Sequence, residues 1–164
     1  MNQEIKFASV QVGEIPGGMS ESARYIEQRE RQGRTDLPMS AGGMNLPLNA
    51  VRNELIDVIL ECSKLNWNGY DARPIKPNAI QDAFRLAQVI PLGIPAPSIG
   101  AEPDGDITFE WYSAPRKTLS VSVDDCGNLH YAALLGPDSV YGTEAFVGVL
   151  PKRILDLIYQ VKLE

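Results

Sequence analysis

The spacing of apolar residues changes near residue 98, from a period of about 3.6 to a period of about 2, and no single kind of secondary structure satisfies both. Before the change, Val51, Leu55, Val58, Ile59, Cys62 and Leu65 recur at steps of three and four. That predicts a helix over residues 49–65, with Asn49 as its cap. Ile80, Ala83, Phe84, Ala87 and Ile90 predict a second over 78–90, begun by Pro77 or Asn78 and ended by Pro91. After the change, Ile107, Phe109 and Trp111 alternate with polar neighbours. So do Leu119, Val121 and Val123, and then Leu129, Tyr131 and Ala133. A weaker strand is expected over 98–102, and a fifth at the edge over 140–141 and 145–149. Asp104-Gly105, Ala114-Pro115-Arg116-Lys117 and Asp125-Cys126-Gly127-Asn128 supply turns short enough for an antiparallel meander. A last helix over 151–162 carries proline in its first turn and Ile154, Leu155, Ile158 and Val161 on one face.

The expected class is therefore α+β: a four- to five-stranded antiparallel sheet covered on one face by helices. Phe109, Trp111, Val121 and Tyr131 should meet Leu55, Phe84 and Ile158 in the core. That body is expected over residues 49–164. Residues 1–48 read differently, because Pro16-Gly17-Gly18, Gly33, Pro38, Gly42-Gly43 and Pro47 interrupt them. A polar helix over 20–32 has only Tyr25 and Ile26 as large apolar residues, too few to bury much of itself. The segment is expected to be a polar arm, either mobile or ordered by a partner or a second copy, with Tyr25 and Arg29 as contact residues.

The net charge of −6 disfavours direct nucleic-acid binding and suits a partner with a basic surface. No run approaches the roughly 18 apolar residues of a membrane span, and the N-terminus lacks a secretory layout. A cytoplasmic protein is expected. Cys62 and Cys126 belong to no Cys-x-x-Cys pair, so no structural zinc is expected, nor any cofactor.

Residues 66–77, Asn-Trp-Asn-Gly-Tyr-Asp-Ala-Arg-Pro-Ile-Lys-Pro, join the two helices. Gly69 is free to take a positive φ, and Pro74 and Pro77 stiffen the end of the segment. Two roles are open. Trp67 and Tyr70 would form a lid, or Tyr70, Asp71, Arg73 and Lys76 would form a recognition tip with outward charges, and Trp67 would pack beneath it.

The loop residues Trp67 to Ile75, together with Pro97 to Ile99 and Pro103 to Trp111, resemble a family of small bacterial and phage proteins. Its members carry Trp-[Asp/Asn]-Gly-Tyr-x-Ala-x-Pro-Ile, then a Pro-x-Ile strand, then Pro-Asp-Gly-x-Ile-x-[Leu/Phe]-Glu-Trp. The likeness spans roughly residues 50–160. It implies the setting of mobile-element accessory proteins, antitoxin-like and anti-defence (anti-CRISPR-type) proteins among them, and no particular chemistry. Asn68 stands where aspartate is more usual, which argues against an acid or metal ligand there.

Matching the apolar faces places Ser122 beside His130, with Asp124 nearby. Such a trio suits a hydrolase only with a pocket and an oxyanion site, and no Gly-x-Ser-x-Gly elbow surrounds Ser122. Glu102, Asp104 and Asp106 lack the spacing of a calcium loop. No metal ligand set and no phosphate-binding glycine loop is expected. Glu110 and Asp71 would pair only if the loop folded over the sheet. The expected function is a non-enzymatic protein-binding module, antitoxin-like or an inhibitor of a defence protein, acting on another protein or as a homodimer. The alternative is a small enzyme or ligand-binding domain using Glu110, Ser122 and His130 on the open sheet face.

Overall fold

The computed structural model describes residues 46–162, with side chains from Leu48 onward. The expected arm, with Tyr25, Arg29 and the helix over 20–32, lies outside those residues except for its last three, which open the first helix. In chain order the elements are α1 (Leu46–Glu61), α2 (Pro77–Val89), β1 (Ser98–Ala101), β2 (Ile107–Ala114), β3 (Lys117–Val123), β4 (Asn128–Leu135), β5 (Asp138–Ala145) and α3 (Lys152–Lys162). The sheet is antiparallel throughout, in the order β1-β2-β3-β4-β5. Among the described residues no helix is long and apolar enough to cross a membrane.

α1 begins three residues earlier than expected. Pro47, read as a breaker, sits in the first turn, where its missing N–H costs nothing. The helix also stops at Glu61 rather than Leu65. Val51, Leu55, Val58 and Cys62 are buried as the stripe predicts, but Leu65 is 72% exposed because the chain has already left helical geometry. In α2, proline opens the helix, and Ala79, Ala83, Leu86 and Ala87 form the buried line. Ile80 and Phe84 pack at its margin. In α3, Leu157 takes the fully buried place expected of Leu155.

The sheet register sorts residues by face. Ile99, Phe109, Val121 and Tyr131 lie in one row of paired positions, and Ile107, Val123 and Leu129 in the next. These side chains point toward the helices. Phe109, Trp111, Leu119 and Val121 meet Leu55, Leu86 and Ile158 in one continuous core. The Trp111 indole N–H reaches the Pro95 carbonyl at 3.0 Å, so its polar atom is satisfied inside that core. The opposite face carries Thr108, Glu110, Ser120, Ser122, His130 and Ala132, none of them buried. β5 runs continuously over residues 138–145, and residues 146–149 do not belong to it.

Candidate interaction surface

The segment 66–76 is fixed chiefly by bonds from its own side chains to its own backbone. Asn66 and Asp71 take left-handed φ values of 60° and 62°, and Gly69 lies at 78°. Asparagine and aspartate tolerate that region because their short side chains bond nearby backbone. Asn66 Oδ1 accepts the Asp71 N–H at 2.8 Å, and the Asn66 N–H donates to Ala72 O at 2.7 Å. Asn68 Oδ1 accepts the N–H groups of Tyr70 at 2.8 Å and Ala72 at 3.3 Å. A carboxylate would accept the same two bonds, so asparagine and aspartate serve this position alike. The Trp67 indole donates to Arg73 O at 2.9 Å and its ring packs against the core. Ala72 is fully buried.

The far side of the loop is tied to the sheet. The Arg73 N–H donates to Pro103 O at 2.8 Å, and the Lys76 N–H to Gly105 O at 3.0 Å. Gly105 sits under the loop with φ +96°, where a Cβ would fall 2.6 Å from the Pro74 carbonyl oxygen. Only glycine fits both demands. Lys76 does not point its charge outward as expected. Its Nζ lies 2.9 Å from Asp106 and 3.3 Å from Asp125, bridging the β1–β2 and β3–β4 turns. The hydrogen bond that Lys76 donates to Asp106 chiefly raises the Lys76 pKa; burial opposes the shift and the bond to Asp125 assists it.

Tyr70 is 74% exposed, and Asp71 and Arg73 are exposed beside it. Among the described residues no hydrogen bond holds the Tyr70 hydroxyl or the Arg73 guanidinium. Of the expected contact residues, then, the structure brings Tyr70, Asp71 and Arg73 together at an exposed tip and uses Lys76 to hold that tip in place. The same end of the sheet carries a feature the sequence did not reveal. Phe146 and Leu150 are buried anchors, and Val147 and Val149 between them are exposed. The Phe146 N–H donates to Gly127 O at 2.8 Å, which sets this segment beside the β3–β4 turn.

On the open face, Ser122 and His130 are paired across β3 and β4 as expected, but their side chains have other partners. Ser122 Oγ lies 2.8 Å from Thr108 Oγ1, whose hydroxyl also reaches Glu102 Oε1 at 2.7 Å. His130 Nε2 lies 3.0 Å from Asp124 Oδ2, and Nδ1 lies 2.9 Å from Thr143 Oγ1. Burial alone would raise the Asp124 pKa. Hydrogen bonds from the Asn128 backbone and side chain, from His130 and from the Cys126 N–H outweigh it and hold the carboxyl far below the carboxylate range. Glu110 accepts from Ser120 at 3.2 Å. Asp104 and Asp106 are engaged by a backbone N–H and by Lys76. Among the described residues no group of three or more His, Cys, Asp or Glu side chains is arranged to hold a metal ion. A shallow apolar hollow beside α1, lined by Val51, Ala87, Pro91 and Ile94, measures about 40 Å³, room for water rather than a ligand.

Comparison with protein-family models, curated proteins and solved structures returns no match.

Proposed function

We propose that this domain is a protein-binding module whose recognition element is the tip formed by Tyr70, Asp71 and Arg73. One observation carries the reading: the three exposed side chains stand on a backbone fixed by bonds to Asn66, Asn68, Pro103 and Gly105. Tyrosine and arginine supply much of the energy at protein interfaces, and a loop already fixed loses little entropy on docking. Val147 and Val149 add apolar area at the same end of the sheet. The net charge of −6 favours a partner with a basic surface. Neutralisation of a toxin or a defence protein is the form of binding that the resemblance of the loop motif implies.

Partner capture from the native host, with affinity and melting measurements on variants, tests the reading. Tyr70→Ala and Arg73→Ala should each weaken binding by about 2 kcal/mol and leave the melting temperature unchanged. Trp67→Ala should lower stability first and binding only in consequence. Equal destabilisation by all three would make the loop a clasp and remove the proposal.

A second reading rests on Asp124, His130 and Thr143. A carboxylate on Nε2 and a hydroxyl on Nδ1 is the arrangement of an activated nucleophile. It predicts ester hydrolysis that disappears in both Thr143→Ala and His130→Ala, and retention of turnover in either variant removes it.

A further inference from the structure

The two edges of the sheet are finished differently. β1 is four residues long, α1 lies against it, and Glu54 Oε1 accepts the Ile99 N–H at 3.0 Å. β5 is eight residues long and in unbroken register with β4, and among the described elements only β4 lies against it. It contains no proline, lysine or bulge, three devices that commonly blunt an edge.

One bond fixes where its free backbone groups point. The Phe146 N–H donates to Gly127 O, continuing the β4–β5 register one step past Ala145. Ladder bonds in an antiparallel pair recur on every second residue. Glu144, Gly142, Val140 and Asp138 therefore turn their amides toward β4. Ser139, Tyr141, Thr143 and Ala145 turn theirs to the open side, where Tyr141 is also 82% exposed.

Glu144 decides what fits this edge. It pairs with the buried Leu129, so its side chain lies on the helix-covered face, at the rim. An inward charge at an edge repels most strands, because pairing would bury it without a partner. A strand that brings a cation opposite it removes that penalty. A second copy of this chain cannot do so. In a twofold antiparallel pairing that bonds the outward amides, the residue of β5 opposite Glu144 is Asp138, Val140, Gly142 or Glu144 itself, and none is basic.

We propose that the free edge of β5 receives an extended segment of a partner protein, added as a sixth antiparallel strand, with a lysine or arginine opposite Glu144. Backbone pairing supplies the attachment and the charge supplies the selection. The proposal rests on the reading of the domain as a protein binder, but not on the loop at 66–76.

The test uses the full chain and two peptides matched to the eight residues of β5. Both alternate valine and threonine; one has lysine at its second position, opposite Glu144 when position one lies opposite Ala145, and the other a glutamate in its place. At low salt the lysine peptide should slow hydrogen exchange at Ser139, Tyr141, Thr143 and Ala145 and bind about tenfold tighter than the glutamate peptide. Glu144→Lys should reverse that preference. Tyr141→Pro removes an outward amide and an exposed ring but no bond to β4, so it should abolish peptide binding while the chain keeps its cooperative melting. Tyr141→Ala, which keeps the amide, should retain the preference for the lysine peptide. Tyr70→Ala should leave peptide binding unchanged. Unaltered exchange at the four outward amides, equal affinity for the two peptides, or a dimer across β5 in sedimentation would each overturn the proposal. A native partner that requires Tyr70 and Arg73 but ignores Tyr141→Pro would overturn the edge site and leave the protein-binding reading standing.

Discussion

Successive residues of β3 live in two different environments. Leu119, Val121 and Val123 have no exposed surface and pack beneath the helices. Thr118, Ser120 and Ser122 stand half-exposed on the opposite face, where the last two bond to Glu110 and Thr108. The covered face holds the domain together through apolar area and volume, and each buried aliphatic side chain is worth about 1.5–3 kcal/mol. The open face exchanges one hydrogen bond for another with water, for a net gain of about 1 kcal/mol each. The first face therefore decides whether the chain folds. The second decides which groups are held in place and offered to a partner.

The largest expected effect lies on the covered face. Phe109→Ala or Trp111→Ala should cost about 3–5 kcal/mol, because each leaves a cavity among rigid neighbours. Chemical denaturation measures it. Near-native stability in either variant would mean that the core lies elsewhere.

The same contrast explains what could be read without a structure. Phe109, Trp111, Val121 and Leu129 announce themselves because a strand buried on one face must alternate. β5 does not, since its inward positions are Asp138, Val140, Gly142 and Glu144, of which one is small and two are charged. Without β5 in register, Thr143 cannot be placed beside His130, and Ser122 takes its place in the sequence reading. Gly142 has its own cause: a Cβ there would lie 2.5 Å from the Tyr131 hydroxyl, so the ring takes the space of the missing side chain. Lys76 departs from expectation for another reason. Its acids lie 30 and 49 residues away in sequence, on turns that only the folded sheet brings together. The exposed tip at Tyr70 and Arg73 is legible locally, because Asn66, Asn68, Gly69 and Asp71 fix a turn wherever they occur together. The exposure of Leu65 is not, since helical period says nothing of where a helix stops.

An intermediate effect belongs to Asp124, where open face and turn meet. Its carboxylate accepts the N–H groups of Cys126 at 2.8 Å and Asn128 at 2.9 Å, besides its bond to His130. Asp124→Asn should cost about 1–2 kcal/mol at neutral pH. The folded carboxyl is held below its unfolded value of about 3.9, so the unfolded chain binds the proton more readily. The stability it contributes is complete above that value and is lost as pH falls below it. Melting temperature measured from pH 6 into acid should drop more steeply for the native chain than for Asp124→Asn. Parallel curves would show that the turn does not depend on the charge.

The smallest effect gives the sharpest test of the two faces, because it compares adjacent residues. Val121→Ala removes two buried methyl groups and should cost about 2 kcal/mol. Ser122→Ala, one position along, removes a hydroxyl that meets Thr108 at 2.8 Å, and Thr108 keeps its bond to Glu102. Water reaches this half-exposed site, so the loss should stay below about 1 kcal/mol. Denaturant midpoints of the two variants, at equal slopes, measure the difference directly. If Ser122→Ala proves as costly as Val121→Ala, the hydroxyl is not replaced by water. The open face would then be covered in solution, and the sheet would carry two dry faces instead of one.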